Sequence, residues 1–266
     1  MMTVFPQLSS GAVAQFPFQR ELRQRTLANR SADGTDIRVA DVDFHERVWE
    51  IAFNGLSDAE WQSVADMFRA VEGRLREFLF LEPGANLLSW SEQFSNTVWV
   101  KGAGLAVTGG QPDPAGGSAA TRLTGGGSAG FLRQTLNIPA AFHYNASVWA
   151  RTTSTAAKLH VSDTGGLLAE TPFDGSNVWK RYSVGSHLSS LSELTEYSIV
   201  VPAATSVDVY GPQLEAQPSA SLYKRTLKQA GVYPRARFDM DVLADRATGV
   251  DQHSGVIRIS WIPSQT

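Results

Sequence analysis

The side chains that could do chemistry in this 266-residue chain are five histidines, a spread of carboxylates and seven tryptophans. The histidines, His45, His143, His160, His187 and His253, stand too far apart in sequence for metal-ligand spacing, and no H-E-x-x-H pattern occurs. Cysteine is absent, which removes disulfides, thiolate metal sites and thiol nucleophiles. The glycines at 125–127 are followed by Ser128, Ala129 and Gly130, not by the Gly-Lys-Ser/Thr of a phosphate-binding loop. No G-x-S-x-G elbow is present. Glycoside hydrolysis needs two carboxyls flanking one bond. The stretch 84–226 offers Glu92, Asp113, Asp163, Glu170, Asp174, Glu193, Glu196, Asp208 and Glu215, but their order pairs none of them. A non-enzymatic protein without a cofactor is therefore expected. A structural calcium, which needs only carboxylate and carbonyl oxygens, is the one ion this composition leaves room for.

Aromatic side chains give the better lead, because sugar sites combine apolar faces with a few polar groups. Residues 143–151, His-Tyr-Asn-Ala-Ser-Val-Trp-Ala-Arg, alternate with the period of a strand. Tyr144, Ala146, Val148 and Ala150 form the more apolar set and are expected to face a core. Asn145, Ser147, Trp149 and Arg151 then share the opposite face. The same alternation over Lys158–Ser162 puts His160 opposite Leu159 and Val161. Asn145, Trp149, Arg151 and His160 are the candidate carbohydrate-binding residues. A subunit interface, where Trp and Arg are also enriched, is the rival use of such a face.

The elements that would position these groups follow from composition and periodicity. Hydrophobic residues make up 42% of the chain, enough for a buried core, while charged residues are 18% and glycine is plentiful, which favours a strand- and turn-rich fold. The charge is uneven. Residues 84–226, more than half the chain, hold only 9 of the 23 Lys and Arg and 9 of the 26 Asp and Glu. A net charge of −3 gives no basis for holding a phosphate backbone, so no nucleic-acid partner is expected. No run of about 18 apolar residues occurs, and the opening residues lack a basic leader followed by an apolar core. Neither membrane insertion nor secretory targeting is expected.

One helix stands out, over 58–72. Ser57 and Glu60 form a capping box, Leu56 and Trp61 sit at the staple positions, and Trp61, Val64, Ala65, Phe68 and Val71 make an apolar stripe that Gly73 ends. Residues 48–53 and 76–81 alternate as strands, with a turn at 32–35 between two extended stretches. The last forty residues return to this kind of sequence: 235–243 and 256–261 alternate, separated by polar 244–254. Between the two ends, 143–151, 157–163, 178–184, 195–201 and 206–210 read as short strands without a helix, the pattern of a β-sandwich. The Gly-rich run 107–130 reads as loops between short strands or as one surface excursion.

Two resemblances attach to these residues. Asn86-Leu-Leu-Ser-Trp-Ser-Glu-Gln-Phe-Ser95 with Trp99, then Tyr144–Arg151, Trp179–Val184 and Gly211-Pro-Gln-Leu-Glu215, is similar in order and spacing to carbohydrate-binding-module-like jelly rolls of phage tail and tail-fibre proteins. That resemblance implies core positions for Trp99 and Trp179 and structural positions for Glu92 and Glu215. The ends resemble phage tail proteins of the distal-tail and minor-tail kind. The matching features are Phe16-Pro17-Phe18, Trp49–Phe53, the capped helix, Phe78–Leu81, Arg237-Phe238-Asp239 and Val256–Trp261.

Together they imply a mainly β chain: a small tail-type β-barrel with one α-helix, discontinuous over 1–83 and 227–266, carrying an inserted β-sandwich jelly roll over 84–226. The function expected is a structural tail protein, the distal ring between tail tube and tail tip, whose jelly roll binds host-surface glycans. The partners implied are other copies of the chain in a hexameric ring, tail-tube and tail-hub proteins and a host polysaccharide. The place implied is the distal end of the virion tail, assembled in the host cytoplasm. A receptor-binding adhesin and a polysaccharide-degrading enzyme are the alternatives.

Overall fold

The computed structural model describes residues 3–187 and 189–263. The fold is mainly β: among the described residues sixteen strands and one helix are arranged as three antiparallel sheets, with one isolated parallel bridge, Val4 to Leu79. In chain order they are β1 (Gln19–Arg30), β2 (Asp36–Leu56), α1 (Asp58–Ala70), β3 (Phe78–Leu81), β4 (Val100–Lys101), β5 (Leu105–Gln111), β6 (Ala120–Gly125) and β7 (Gly130–Leu136). There follow β8 (His143–Thr152), β9 (Lys158–Asp163), β10 (Gly166–Pro172), β11 (Lys180–His187), β12 (Thr195–Val201) and β13 (Ser206–Glu215). The chain closes with β14 (Val232–Phe238), β15 (Asp245–Gly249) and β16 (Gln252–Trp261). They form two compact units. One is built mainly from Leu81–Val232 with Ser9–Val13; the other takes Ala14–Phe80 and the segment from Tyr233 onward.

In the unit made of both chain ends, a curled sheet runs β1-β2-β16-β14-β3, with β15 paired to β16. Ile257 lies opposite Ile51 and Ile259 opposite Trp49, so residues two hundred positions apart share one buried face. Trp49, Phe80, Tyr233, Phe5, Phe78 and Phe238 fill its core, with Trp49 and Tyr233 edge to face at 4.6 Å. Both halves of the capping box expected at Ser57 and Glu60 are formed, and α1 buries Trp61, Val64 and Met67. The sequence expectation places an alternating strand at 235–243, before the final one at 256–261. The strand instead spans Val232–Phe238, and the polar stretch after it contains the hairpin strand β15.

The other unit is a β-sandwich. One sheet runs β10-β9-β12-β7-β4 and the other β11-β8-β13-β6-β5. Tyr144, Ala146, Val148 and Ala150 of β8 face Leu159 and Val161 of β9 and Tyr197 and Ile199 of β12 in a core whose members are 0% exposed. The Gly-rich run is not one excursion: β5, β6 and the start of β7 occupy it. Asn86 knots the sandwich, its carbonyl accepting from the amides of Leu88 and Leu214 and its amide donating to the carbonyls of Pro212 and Lys224. Trp99 is buried against Phe94 and Tyr197.

Candidate functional site

The face of β8 turned away from the sandwich core is built by cross-strand register. Directly opposed residues on antiparallel strands share a face. Trp149 lies opposite Arg181 of β11 and Tyr210 of β13, giving a row Arg181–Trp149–Tyr210 across three strands. One step along, Arg151 lies opposite Asp208, which lies opposite Arg122 of β6, which in turn lies opposite Thr108 of β5. Trp179 flanks that second row under the Arg151 guanidinium, 5.0 Å from guanidinium carbon to ring centre. Trp149, Tyr210, Trp179, Arg151 and Arg181 are all partly exposed. Among the described residues Trp149 stacks on no other ring.

The other half of this face is closed. Residues 217–226 run across it as a strap. Gln213 donates to the carbonyls of Ser221 and Leu222 and accepts from the Lys224 amide. Glu215, fully buried, accepts from the amide and hydroxyl of Ser221. The ring of Tyr223 sits over Gly211, where an added Cβ would come within 3.1 Å of it. Gly211 also has a φ of +61°, so both backbone and strap require glycine there. Tyr223 meets Tyr210 edge-on at 5.4 Å, so the strap ends where the open aromatic row begins.

Charge on the open half is set by one carboxylate among guanidiniums. Asp208 accepts two hydrogen bonds from Arg122, at 2.7 and 3.0 Å, and one from Arg151 at 2.7 Å. Burial would raise its pKa; the Arg122 and Arg151 guanidiniums outweigh that and hold it below the usual carboxylate range. Arg181 differs. Its Nη2 donates to the Ser147 hydroxyl at 2.9 Å, its Nε is buried without a partner, and no salt bridge reaches it among the described residues. Burial pushes its pKa down, only partly offset by the charge of Glu215. The remaining carboxyls are held elsewhere. Asp113 is turned onto the amides of its own loop, Glu92 is bonded to Arg225 and Tyr223, and Asp174 to Lys180. Among the described residues no three His, Asp or Glu side chains converge in a way that could hold a metal ion.

Period-two reading placed Trp149 and Arg151 together, and the structure brings them together. It corrects two of their companions. Asn145 is on the same face of β8 but only 5% exposed, because Pro218 of the strap accepts from its side-chain amide. His160 belongs to β9 in the opposite sheet, turned away from the core beside Glu170, so it shares no face with Trp149. Trp179 is also corrected: it is a partly exposed ring on the Arg151 side of the sheet, not a core residue. Tyr210, Arg122 and Arg181 were missed. For Tyr210 and Arg181 the clean alternation of 206–210 and 178–184 held the signal, but which strands neighbour β8 is not written in either stretch; Arg122 lies in the Gly-rich run, where β6 gives no such alternation.

No protein-family model matches the chain, and no curated protein sequence matches it. Solved structures do. The enzymatically active domain of tailspike protein 4 of bacteriophage CBA120 is 21% identical with a TM-score of 0.39, over 49% of this chain and 21% of that one. A two-module fragment of a Clostridium thermocellum endo-1,4-β-D-xylanase, carrying a family-22 carbohydrate-binding module, is 13% identical with a TM-score of 0.39, over 55% of this chain and 30% of that one. A family-22 xylan-binding domain from Paenibacillus barcinonensis is 17% identical with a TM-score of 0.39, over 53% of this chain and 99% of that one. The chain thus spans well under half the length of the first two.

Proposed function

We propose that this chain is a non-enzymatic structural protein of a phage or phage-like tail whose β-sandwich binds surface glycans through the Trp149 face. One observation carries the binding reading: an unstacked, partly exposed indole lies in register between Arg181 and Tyr210, an apolar platform with hydrogen-bonding groups on both sides. Sugars offer an apolar C–H face and peripheral hydroxyls, which such a row matches. The carboxyls favour binding over hydrolysis. Asp113, Asp163, Glu170, Asp174 and Asp208 are all held below the usual carboxylate range by hydrogen bonds or cations, whereas a general acid needs a raised value. Glycan-array binding by the full chain, lost in Trp149→Ala at an unchanged fold, is the expected result. A variant that binds as the parent does, or a parent that binds no glycan, overturns it.

The assembly reading draws on a second observation. β1 and the first half of β2 form a ribbon whose Leu27 and Val39, directly opposed, are 58% and 55% exposed, with Leu22 and Ile37 also exposed. β1 is an edge strand as well. Apolar edges of this kind call for a covering partner. The tail resemblance of the chain ends makes that partner another copy in a closed ring, six in number, between tail tube and hub at the distal end of the virion. Native mass spectrometry of the full chain should show the ring, and Leu27→Lys with Val39→Lys should leave monomers. A monomer at micromolar concentration would remove the ring from this reading.

A further inference from the structure

We infer that the glycan taken by the Trp149 face is acidic, its carboxylate received by the Arg181 guanidinium beside the Trp149 platform. This deepens the glycan reading and rests on it.

The argument starts from charge. On this face stand Arg122, Arg151 and Arg181; among the described residues Asp208 pairs with the first two, while Arg181 has no ion-pair partner and feels Glu215 only through its charge. The other ionic groups at its borders are internally paired: Lys224 with Glu215, Arg225 with Glu92, and Lys180 with Asp174. Asp113 is satisfied by the amides of Ala115, Gly117 and Ala119. Asp113 keeps its negative charge and acts on Tyr210, so in this chain of net charge −3 the three guanidiniums of the face outnumber Asp208 and Asp113 by one. Opposite-sign clefts of this kind raise the local concentration of a charged ligand.

Arg181 makes the preference specific to position. It is partly buried, shares a cross-strand pair with Trp149, and is fixed by its bond to Ser147, itself 0% exposed. A partly desolvated guanidinium without an ion-pair partner is costly, and an incoming carboxylate that bonds its outer N–H groups lowers that cost. Arg122 and Arg151 are already held by Asp208, so they set the background potential while Arg181 keeps donor capacity for a ligand. A sugar ring resting on Trp149 would put an equatorial carboxylate within the reach of its neighbour across the strand, since opposed Cβ atoms stand about 5 Å apart.

The test is calorimetric titration of the full chain with oligogalacturonate, mannuronate oligomers, hyaluronan oligosaccharides and sialyllactose, each beside its carboxyl-methyl-ester form. Methyl esters keep shape and remove charge. At least one acid should bind on the order of tenfold or more tighter than its ester, the increment of one charge-assisted hydrogen bond. Its affinity should fall with rising salt. Arg181→Gln should bring acid and ester to the same affinity. Arg181→Lys, which keeps the charge without the fork, should retain part of it, with melting curves confirming that both variants fold. Esters bound as tightly as acids, with binding lost in Trp149→Ala and untouched in Arg181→Gln, would overturn the acidic preference and leave the glycan reading standing. No binding by any acid or ester would overturn both.

Discussion

At the residue scale, the sandwich face is organised by Asp208, which joins two guanidiniums from neighbouring strands. Asp208→Asn should cost about 2 kcal/mol, because hydrogen bonds to charged groups are lost. Arg122 keeps nearly half of its side chain in water, which holds the cost below the roughly 3–5 kcal/mol of breaking a fully buried pair. The sign of its pH dependence is fixed by its lowered pKa. The stabilisation is full above the unfolded carboxyl value and is lost as pH falls through the folded one. Urea titrations of parent and Asp208→Asn should therefore converge in acid; a constant gap down to pH 2 would contradict the pairing. Trp149→Ala should cost less than the about 3–5 kcal/mol of a core tryptophan, since its ring is partly in water. How far sequence reached is visible at these same positions. Trp149 and Arg151 were legible because period-two alternation fixes which face a side chain takes. Asn145 obeys that alternation and is still shut off, by a strap more than seventy residues later in the chain. His160 alternates correctly within β9, but no local signal says which sheet β9 joins. Arg181 and Tyr210 reach Trp149 only through register, a property of pairs of strands.

At the element scale, α1 was legible almost to the residue, because a capping box and a five-residue apolar stripe are local features. Ser57→Ala should cost about 1 kcal/mol, measured by chemical denaturation. What docks the helix was not local. His253 of β16 lies between Asp58 of α1 and Asp245 of β15, at 2.7 and 2.6 Å, and as an imidazolium donates to both, with its ring parallel to Trp61. The hydrogen bonds to Asp58 and then to Asp245 raise its pKa. A raised histidine stabilises fully below its unfolded value and loses that contribution as pH rises through the folded one. The melting temperature of this unit should accordingly fall between about pH 6 and 8, and His253→Gln should flatten that slope. An unchanged slope would assign the pH response to another group. Beside it, Gly255 lets Trp61 close on β16: a Cβ there would lie 2.6 Å from the indole and 2.8 Å from the Ala244 carbonyl. Gly255→Ala should destabilise by about 1–3 kcal/mol, the range for forced overpacking, with loss of the protected tryptophan signal in near-ultraviolet dichroism.

At the scale of the whole molecule, the question is whether 81–232 can be removed without unfolding what remains. Strand pairing makes the expectation concrete. β16 lies between β2 and β14, so the sheet of the other unit is closed by pairing the two chain ends, without a strand from the sandwich. Its core aromatics, Phe5, Trp49, Phe78, Phe80, Tyr233 and Phe238, also come from those ends. The chain leaves through β3 and returns through β14, which are neighbours in the same sheet. Just beyond them the Glu82 amide donates to the Gly231 carbonyl at 2.8 Å. The gap to be bridged is thus about one interstrand spacing, roughly 5 Å, which two to four flexible residues span. Closing it with a short linker replaces a folded loop of this length at little entropic cost, since closure grows only logarithmically with loop length. Residues 1–80 joined by Gly-Ser-Gly to 233–266 should therefore unfold in one cooperative transition, and 81–232, supplied with a peptide of residues 9–13 that belongs to the same unit, should unfold in another. The first product should keep the pH slope of His253, and the second should keep glycan binding. A molten, dye-binding product from the joined ends would mean that the ends need the sandwich to fold, and the two units would then be one folding domain.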